Sequence, residues 1–293
     1  MTAGRRFSDY VLSLFNYMFL VLIGCVTLFP MLNLFAKAFS AEAHVLKGDI
    51  LLWPKGFQTE AVGFVLSQVG FQRAFINTVF VVTVGTLLSI LFTVCGAYPL
   101  SKRNLPGRKW LMLAIVFTML FNGGLIPTFI LVKKLTLLDK LWALILPNLV
   151  SPFYLIIMKN YFEGIPISME ESAKIDGCSN FMILARIILP LSMPVIATLI
   201  VFYAVARWNA YFEPLLYVTS KSRYTLQQYL NQLMKTFNGS ALVNMSQLKT
   251  MSNKAPQIIQ GAAVFVSIIP ILVVYPFLQK YFVKGVMLGA IKG

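Results

Sequence analysis

Tyr203, Arg207 and Tyr211 recur at i, i+4 and i+8, a spacing that would set two aromatic rings and a guanidinium on one helix face. Aromatic rings stack on sugar faces and a planar guanidinium fork suits a carboxylate, so the chemistry on offer is recognition of a saccharide, an acidic one included. Trp208 and Asn209 stand in the same stretch. Arg207 lies inside an apolar run, where a central arginine costs about 2.5–3.5 kcal/mol on insertion scales, so it must face a partner or an aqueous cavity. Glu213 is the obvious partner. Six residues of helix turn through about 600°, however, so the two share a face only if Pro214 distorts the turn. An interhelical hydrogen-bond cluster, or contact with a partner chain, accounts for the same residues at least as simply.

Other chemistry lacks carriers. His44 is the only histidine, and without a second ligand neither metal binding nor histidine base catalysis has support. Cys25, Cys95 and Cys178 are odd in number, far apart and without a CxxC pair, which indicates neither a disulfide framework nor a zinc site. Cys25 and Cys95 read as small buried thiols in apolar runs. HExxH, GxSxG and clustered acids within apolar runs are all missing, which speaks against a membrane-embedded enzyme. An ion-coupled carrier of sugars usually needs intramembrane acids, and Glu213, near the end of a run, is the one candidate. The sequence contains no GxxxxGK-Ser/Thr phosphate loop, so it supplies no ATP site of its own.

The elements that must position these residues follow from composition. The chain has 293 residues, 58% hydrophobic and 12% charged, with mean hydropathy +0.76. A soluble domain carries about twice that charge fraction. Lys and Arg number 25 against 10 Asp and Glu, for a net charge of +15 and a pI of about 9.8. That balance alone could indicate nucleic acid, but the apolar excess points to a membrane and to no nucleic-acid partner. Six windows contain no Asp, Glu, Lys or Arg: Val11–Ala36, Ala74–Ser101, Trp110–Val132, Leu141–Met158, Ile187–Ala206 and Ala255–Gln279. Each approaches or exceeds the roughly 20 residues that a spanning helix needs. Backbone amides in hydrocarbon must pair within a helix or a closed barrel, and these runs do not alternate as barrel strands do. The expected fold is all-α: a polytopic membrane protein of six transmembrane helices, one domain over residues 1–293.

The first window follows Arg5 and Arg6 as a secretory signal would, yet it is much longer than a signal core of about 7–15 residues. Prolines at 30, 99, 127, 147, 152, 270 and 276 fall in or beside the windows, where kinks are tolerated if neighbours or a cavity satisfy the freed carbonyls. Six spans place both termini on one side, together with connectors 102–109 and 159–186. The other side holds loops of about 37–73, 133–140 and about 218–254. Twelve Lys and Arg fall on each side, so the positive-inside rule says little from totals. The short connectors discriminate better: Lys102, Arg103, Arg108 and Lys109 face no acid, whereas Lys133, Lys134 and Lys140 are offset by Asp139.

Connector residues 166–190 carry the most local information. Ser168 and Glu171 have capping-box spacing, which predicts a helix start there, with Glu170 and Glu171 near its positive end. Gly177 suits the left-handed residue that ends it. Ser179 or Asn180 caps a second short helix, and Pro190 opens the next span.

Glu171-Ser172-Ala173, three residues, Gly177, nine residues, Ile187, one residue and Leu189-Pro190 resemble the E-A-A, G, I-x-L-P signature of inner-membrane permease subunits in binding-protein-dependent ABC importers. Ser172 stands where that signature has its middle alanine, a small-for-small change. Asp176-Gly177, Pro194, Trp208-Asn209 and Pro214 are similar to the carbohydrate branch, in particular the second maltose-permease subunit and alginate-importer permeases. The resemblance covers most of the chain.

It implies that the loop at about 160–190 is a cytoplasmic coupling helix gripped by an ATPase. Glu170, Glu171, Ser172, Ala173, Asp176, Gly177, Leu189 and Pro190 would form the coupling site, and Tyr203, Arg207, Trp208, Asn209 and Tyr211 the substrate pathway. Implied partners are an ABC ATPase subunit dimer, a second homologous permease, a periplasmic solute-binding protein, the bilayer of the inner membrane and an oligosaccharide. This chain would bind no cofactor, with ATP and Mg on the ATPase subunits. Its three outer connectors hold twelve Lys and Arg against four acids, a field that attracts anions and favours an acidic sugar such as a uronate oligomer. Docking to an acidic binding protein or to lipid headgroups would use the same charge.

Overall fold

A computed structural model describes residues 7–121, 123–237 and 256–290. Arg5, Arg6, Lys249, Lys254 and Lys292, which enter the charge reading, lie outside them. Among the described residues the regular elements are all helical: α1 Phe7–Ala38, α2 Glu42–Lys47, α3 Glu60–Ser67, α4 Val69–Ser101, α5 Arg108–Leu120, α6 Leu125–Lys134, α7 Pro152–Glu163, α8 Ile167–Ile175, α9 Asn180–Ile183, α10 Leu189–Leu191, α11 Met193–Trp208, α12 Phe212–Tyr217, α13 Leu226–Phe237 and α14 Pro256–Ala290. Short 3-10 turns occupy Leu141–Leu144 and Lys221–Arg223, and a π turn Leu184–Ile188.

Among the described residues three helices are continuous and apolar enough to cross a bilayer, in α1, α4 and α14; the count is up to five if each of two bent pairs, α5 with α6 and Asn180–Leu191 with α11, is one span. The six expected spans are therefore not all single helices, and the departures have local causes. Gly123 and Gly124, the latter at φ +90°, separate α5 from α6. In the window Leu141–Met158, Pro147 and Pro152 interrupt the ladder. The chain makes a 3-10 turn there, and the 12-residue α7 starts only at Pro152, where Ser151 caps it by accepting from Tyr154 N.

The fifth span also differs from expectation. Pro190 cannot supply the amide that would reach back to Arg186, and the ladder loosens to a π turn in which Leu189 N donates to Leu184 O. The chain then bends by 81° between Leu191 and Met193. The span proper begins at Met193 with Pro194, not Pro190, in its first turn.

The described residues form two compact units. One contains residues up to Gln68 with part of Leu230–Pro270; the other contains Val69–Tyr229 and the chain from Ile271. In the first, the end of α1 packs on α14 through Phe35, Phe39 and Phe265, with ring centroids 5.0–5.3 Å apart. Gly261 permits the approach, because a Cβ there would stand 3.3 Å from Leu34 O. Residues 41–58 fold over this end, with Ala41 N donating to Lys55 O and Gln58 N to Phe39 O. His44 is engaged by Asp49, which also pairs with Lys55. From Leu12 to Leu32 α1 is largely bare: Leu14, Phe15, Leu20 and Val21 are each more than 60% exposed, as a face turned to lipid or to another chain must be.

The second unit is organised on α4. Ala74, Thr78, Val81, Gly85, Ser89, Thr93 and Ala97, at spacings of three or four, form a buried stripe of mostly small residues. Such a stripe lets helices approach closely where hydrocarbon offers no hydrophobic drive, and α7 and α11 pack on it.

Candidate functional site

The segment expected to couple to an ATPase folds as α8, a glycine corner and α9. Helix α8 starts at Ile167 after Pro166, so Ser168 lies inside the first turn and makes no cap. Pro166, at φ −56° and ψ 127°, takes the cap position, and no side chain caps the helix. At the other end Gly177 has φ +80°. Gly177 N donates to Lys174 O and Cys178 N to Ala173 O, the paired bonds of a Schellman stop. Ser179 caps α9 by accepting from Met182 N at 3.3 Å, leaving Asn180 as the first helical residue.

The side chains of this segment divide into two faces. Glu171, Ser172, Asp176 and Gly177 are exposed, beside Ile167, Ile175 and Phe181, which are 70%, 86% and 80% exposed. Glu170 and Ala173 are buried. Ala173 permits close approach, but to the chain's own core of Tyr98, Met158, Phe162 and Ile183. Leu189 packs on the same core, and Pro190 is exposed. Glu170 accepts from Lys102 through both carboxylate oxygens. Nearby, Arg108 Nε donates to Leu100 O at 2.8 Å and its Nη2 pairs with Glu163. Glu163 also takes the buried Lys159 at 2.9 Å.

Arg207 lies on α11 against α4. Its Nη2 donates to Ser89 Oγ at 2.7 Å and to Asn148 O at 3.4 Å, its Nε has no protein partner, and its Cζ stands 5.3 Å from the centroid of the Tyr203 ring. Ser89 in turn donates to Leu149 O. Gly85 makes room: a Cβ there would fall 2.5 Å from Arg207 Nε. The described ion pairs give Arg207 no carboxylate. A cavity of about 190 Å³ opens beside it, lined by Val81, Asn148, Tyr154, Tyr203, Arg207 and Glu213 among others. That is below the roughly 300–1,000 Å³ of a site enclosing a drug-sized ligand, so the space suits one end or one substituent of a glycan.

Of the five residues expected along the substrate pathway, two, Tyr203 and Arg207, meet at this cavity. Tyr203 is 4% exposed; its hydroxyl accepts from Ser151 N at 3.0 Å and pairs with Thr93 at 2.9 Å, which is the interhelical cluster foreseen as the simpler account. Trp208 turns to α4, edge-on to Phe75 at 6.2 Å. Asn209 closes the helix, its amide donating to Val205 O. Tyr211 lies beyond the helix end, at φ −123°, so the i+8 relation fails there. Gly85, Ser89, Thr93, Asn148 and Tyr154 were missed. The signal for Gly85, Ser89 and Thr93 is the four-residue spacing of small residues along α4; nothing local in the sequence ties that stripe, or Asn148 and Tyr154, to Arg207.

A third cluster closes the connector at 133–140. Asp139, at φ +58°, accepts from Thr219 N, Ser220 N and Ser220 Oγ and pairs with Arg223. The Ser220 hydroxyl and amide, then the Thr219 amide and Arg223, hold its carboxyl down to about 2.

Residues 94–288 match the family of binding-protein-dependent transport system inner membrane components. The chain belongs to this family. It is a multi-pass inner-membrane permease and is non-catalytic, with ATP hydrolysis belonging to separate subunits. The permease is 44% identical over 99% of its length to Protein LplC of Bacillus subtilis (strain 168), covering 96% of that protein. It is 42% identical to the polygalacturonan/rhamnogalacturonan transport system permease protein YtcP of the same organism, over 94% of this chain and 96% of that one. A chain from the crystal structure of a bacterial ABC transporter involved in the import of the acidic polysaccharide alginate superposes with TM-score 0.89 at 33% identity, over 96% of this chain and all of that one.

Proposed function

We propose that this permease carries acidic oligosaccharides, short uronate chains, from a solute-binding protein outside the membrane to the cytoplasm by alternating access. It would act as one transmembrane domain beside a second permease, above an ATPase dimer that holds ATP and Mg. The observation that carries the substrate class is Arg207, an intramembrane guanidinium with no carboxylate among its described partners and a cavity beside it. Such a group is expensive in a span unless it serves a ligand or a pathway. The names of two relatives, an alginate importer and a polygalacturonan permease, support the same class. Trp208, Asn209 and Tyr211 take second place, since they do not face this cavity together.

In the coupling reading, the exposed face of α8 and α9 seats in a cleft of the ATPase, with Glu171 meeting a basic or amide group there. Ser172, Asp176 and Gly177 shape the corner. Glu170, Ala173, Leu189 and Pro190 act from behind, fixing the segment to the spans. A rigid, capped segment transmits rigid-body motion where a flexible loop would absorb it.

The test is uptake into proteoliposomes that hold the assembled transporter. Oligogalacturonate should enter faster than a neutral oligomer of equal length, and Arg207→Gln should abolish that preference. Equal uptake of both by the unsubstituted transporter would refute the acidic reading.

A further inference from the structure

Helix α8 is joined covalently to α7 and, through α9, to α11, but not to α4. Yet α4 bears Gly85, Ser89 and Thr93, the residues that seat Arg207 and Tyr203. Motion of the coupling segment must reach α4 through contacts. The apolar contacts around Ala173 permit sliding. A directional joint exists one residue past the end of α4, where the Lys102 ammonium grips both oxygens of the Glu170 carboxylate and lies 4.2 Å from the centroid of the Tyr98 ring. Glu170 is 7% exposed. Both ends of the joint are themselves well placed, a cation at the negative end of α4 and an anion in the first turn of α8. The bond from Arg108 to Leu100 O and its pair with Glu163 tie the connector that holds Lys102 to α4 and α7.

We propose that Lys102 and Glu170 are positioning residues that form the joint by which the coupling segment drives α4, so that ATP-powered movement of α8 shifts Ser89 and Gly85 against Arg207 on α11. From Ser101 to Ser89 is 12 residues, about 18 Å of helix, and α4 runs through Pro99 without a break, so a displacement at the membrane edge reaches the cavity along one element. The proposal rests on the coupling reading above.

The test uses the assembled transporter with spin labels at Leu87 on α4 and Val205 on α11, 70% and 40% exposed. Cys25→Ala, Cys95→Ala and Cys178→Ala clear the background. In the unsubstituted complex, ATP should shift the distance between the labels. Lys102→Glu and Glu170→Lys should each abolish the shift with the ATPase still co-purifying, the charge-swapped double variant should restore it, and Lys102→Arg should retain it. No shift in the unsubstituted complex, a normal shift in either reversal, or no recovery in the swap would overturn the joint. Loss of ATPase from the single variants would also overturn it, by placing the pair in docking. An unsubstituted permease that brings down no ATPase would instead sink the coupling reading. Should the charge reversals fail to reach the membrane, Lys102→Met with Glu170→Leu provides an uncharged pair of similar bulk. It should assemble without the ATP-driven shift, and a full shift would refute the proposal.

Discussion

Replacing Gly85 with alanine tests whether the guanidinium is held where the structure places it. The added methyl would stand 2.5 Å from Arg207 Nε, 2.9 Å from Cδ and 3.3 Å from Cζ, closer than non-bonded atoms tolerate. Either α4 and α11 separate or the arginine leaves. Close packing along the small-residue stripe resists the first, and a long side chain yields more readily. Arg207 would then surrender the 2.7 Å bond to Ser89, and a hydrogen bond to a charged group is worth about 1.5–3 kcal/mol. That bond biases the guanidinium toward its position at the cavity, so at 1.4 kcal/mol per factor of ten its loss lowers the binding-competent population, and with it the apparent affinity for an oligogalacturonate, by up to roughly tenfold to a hundredfold. Neutral-oligomer uptake should change much less. The assay is uptake rate against substrate concentration in proteoliposomes, with the thermal midpoint of the purified complex measured alongside. Gly63→Ala in α3, whose Cβ would meet nothing within 4 Å, is the control and should be neutral or stabilising by about 0.5–1 kcal/mol. Wild-type affinity and thermal midpoint in Gly85→Ala would refute the placement of Arg207 and the carboxylate-reading role with it.

Two further outcomes follow from local geometry. Gly177→Val puts a branched side chain at φ +80°, where left-handed backbone costs an L-residue about 1–2 kcal/mol; the corner should open and the amount of co-purified ATPase fall severalfold, with Gly177→Asn nearer to wild type. Asp139 titrates below its ordinary value of 3.8. The stability it contributes is complete above 3.8 and is lost as pH falls through about 2. Asp139→Asn should therefore speed hydrogen exchange at the Thr219 and Ser220 amides at neutral pH and flatten that acid dependence, as read by mass spectrometry.

What the sequence revealed tracks the range of the interactions involved. An uncharged run such as Val11–Ala36 announces a helix because hydrocarbon leaves its backbone no other partner, and α1 follows it closely. Gly177 and Ser179 were legible because a left-handed stop and a cap are settled within four residues. The breaks were only half legible. Pro147, Pro152, Pro190 and Pro194 were visible, but which carbonyl each would orphan, and whether the ladder would kink, loosen to a π turn or stop, depends on what packs alongside. The π turn at Leu184–Ile188 and the bend before Met193 are such outcomes. The cavity was the least legible, since Ser89 and Arg207 lie 118 residues apart and meet only when α4 and α11 pack.

The same contrast bears on how the permease works. Five charged groups at the base of α4, α7 and α8 are committed to one another: Lys102 to Glu170, Arg108 and Lys159 to Glu163. Half-buried pairs of this kind add little net stability over apolar packing, and breaking one costs more than never having had it. What they supply over apolar contacts is direction, because a carboxylate held by an ammonium resists sliding that methyl groups allow. Arg207 is the opposite case, a cation whose described partners are a hydroxyl, a carbonyl and a ring face rather than an acid. Under the proposed function this arrangement suits an anionic cargo: Glu213 lines the same cavity without an ion pair to Arg207 among the described residues, and a carboxylate bonded to Arg207 would compete directly with the substrate.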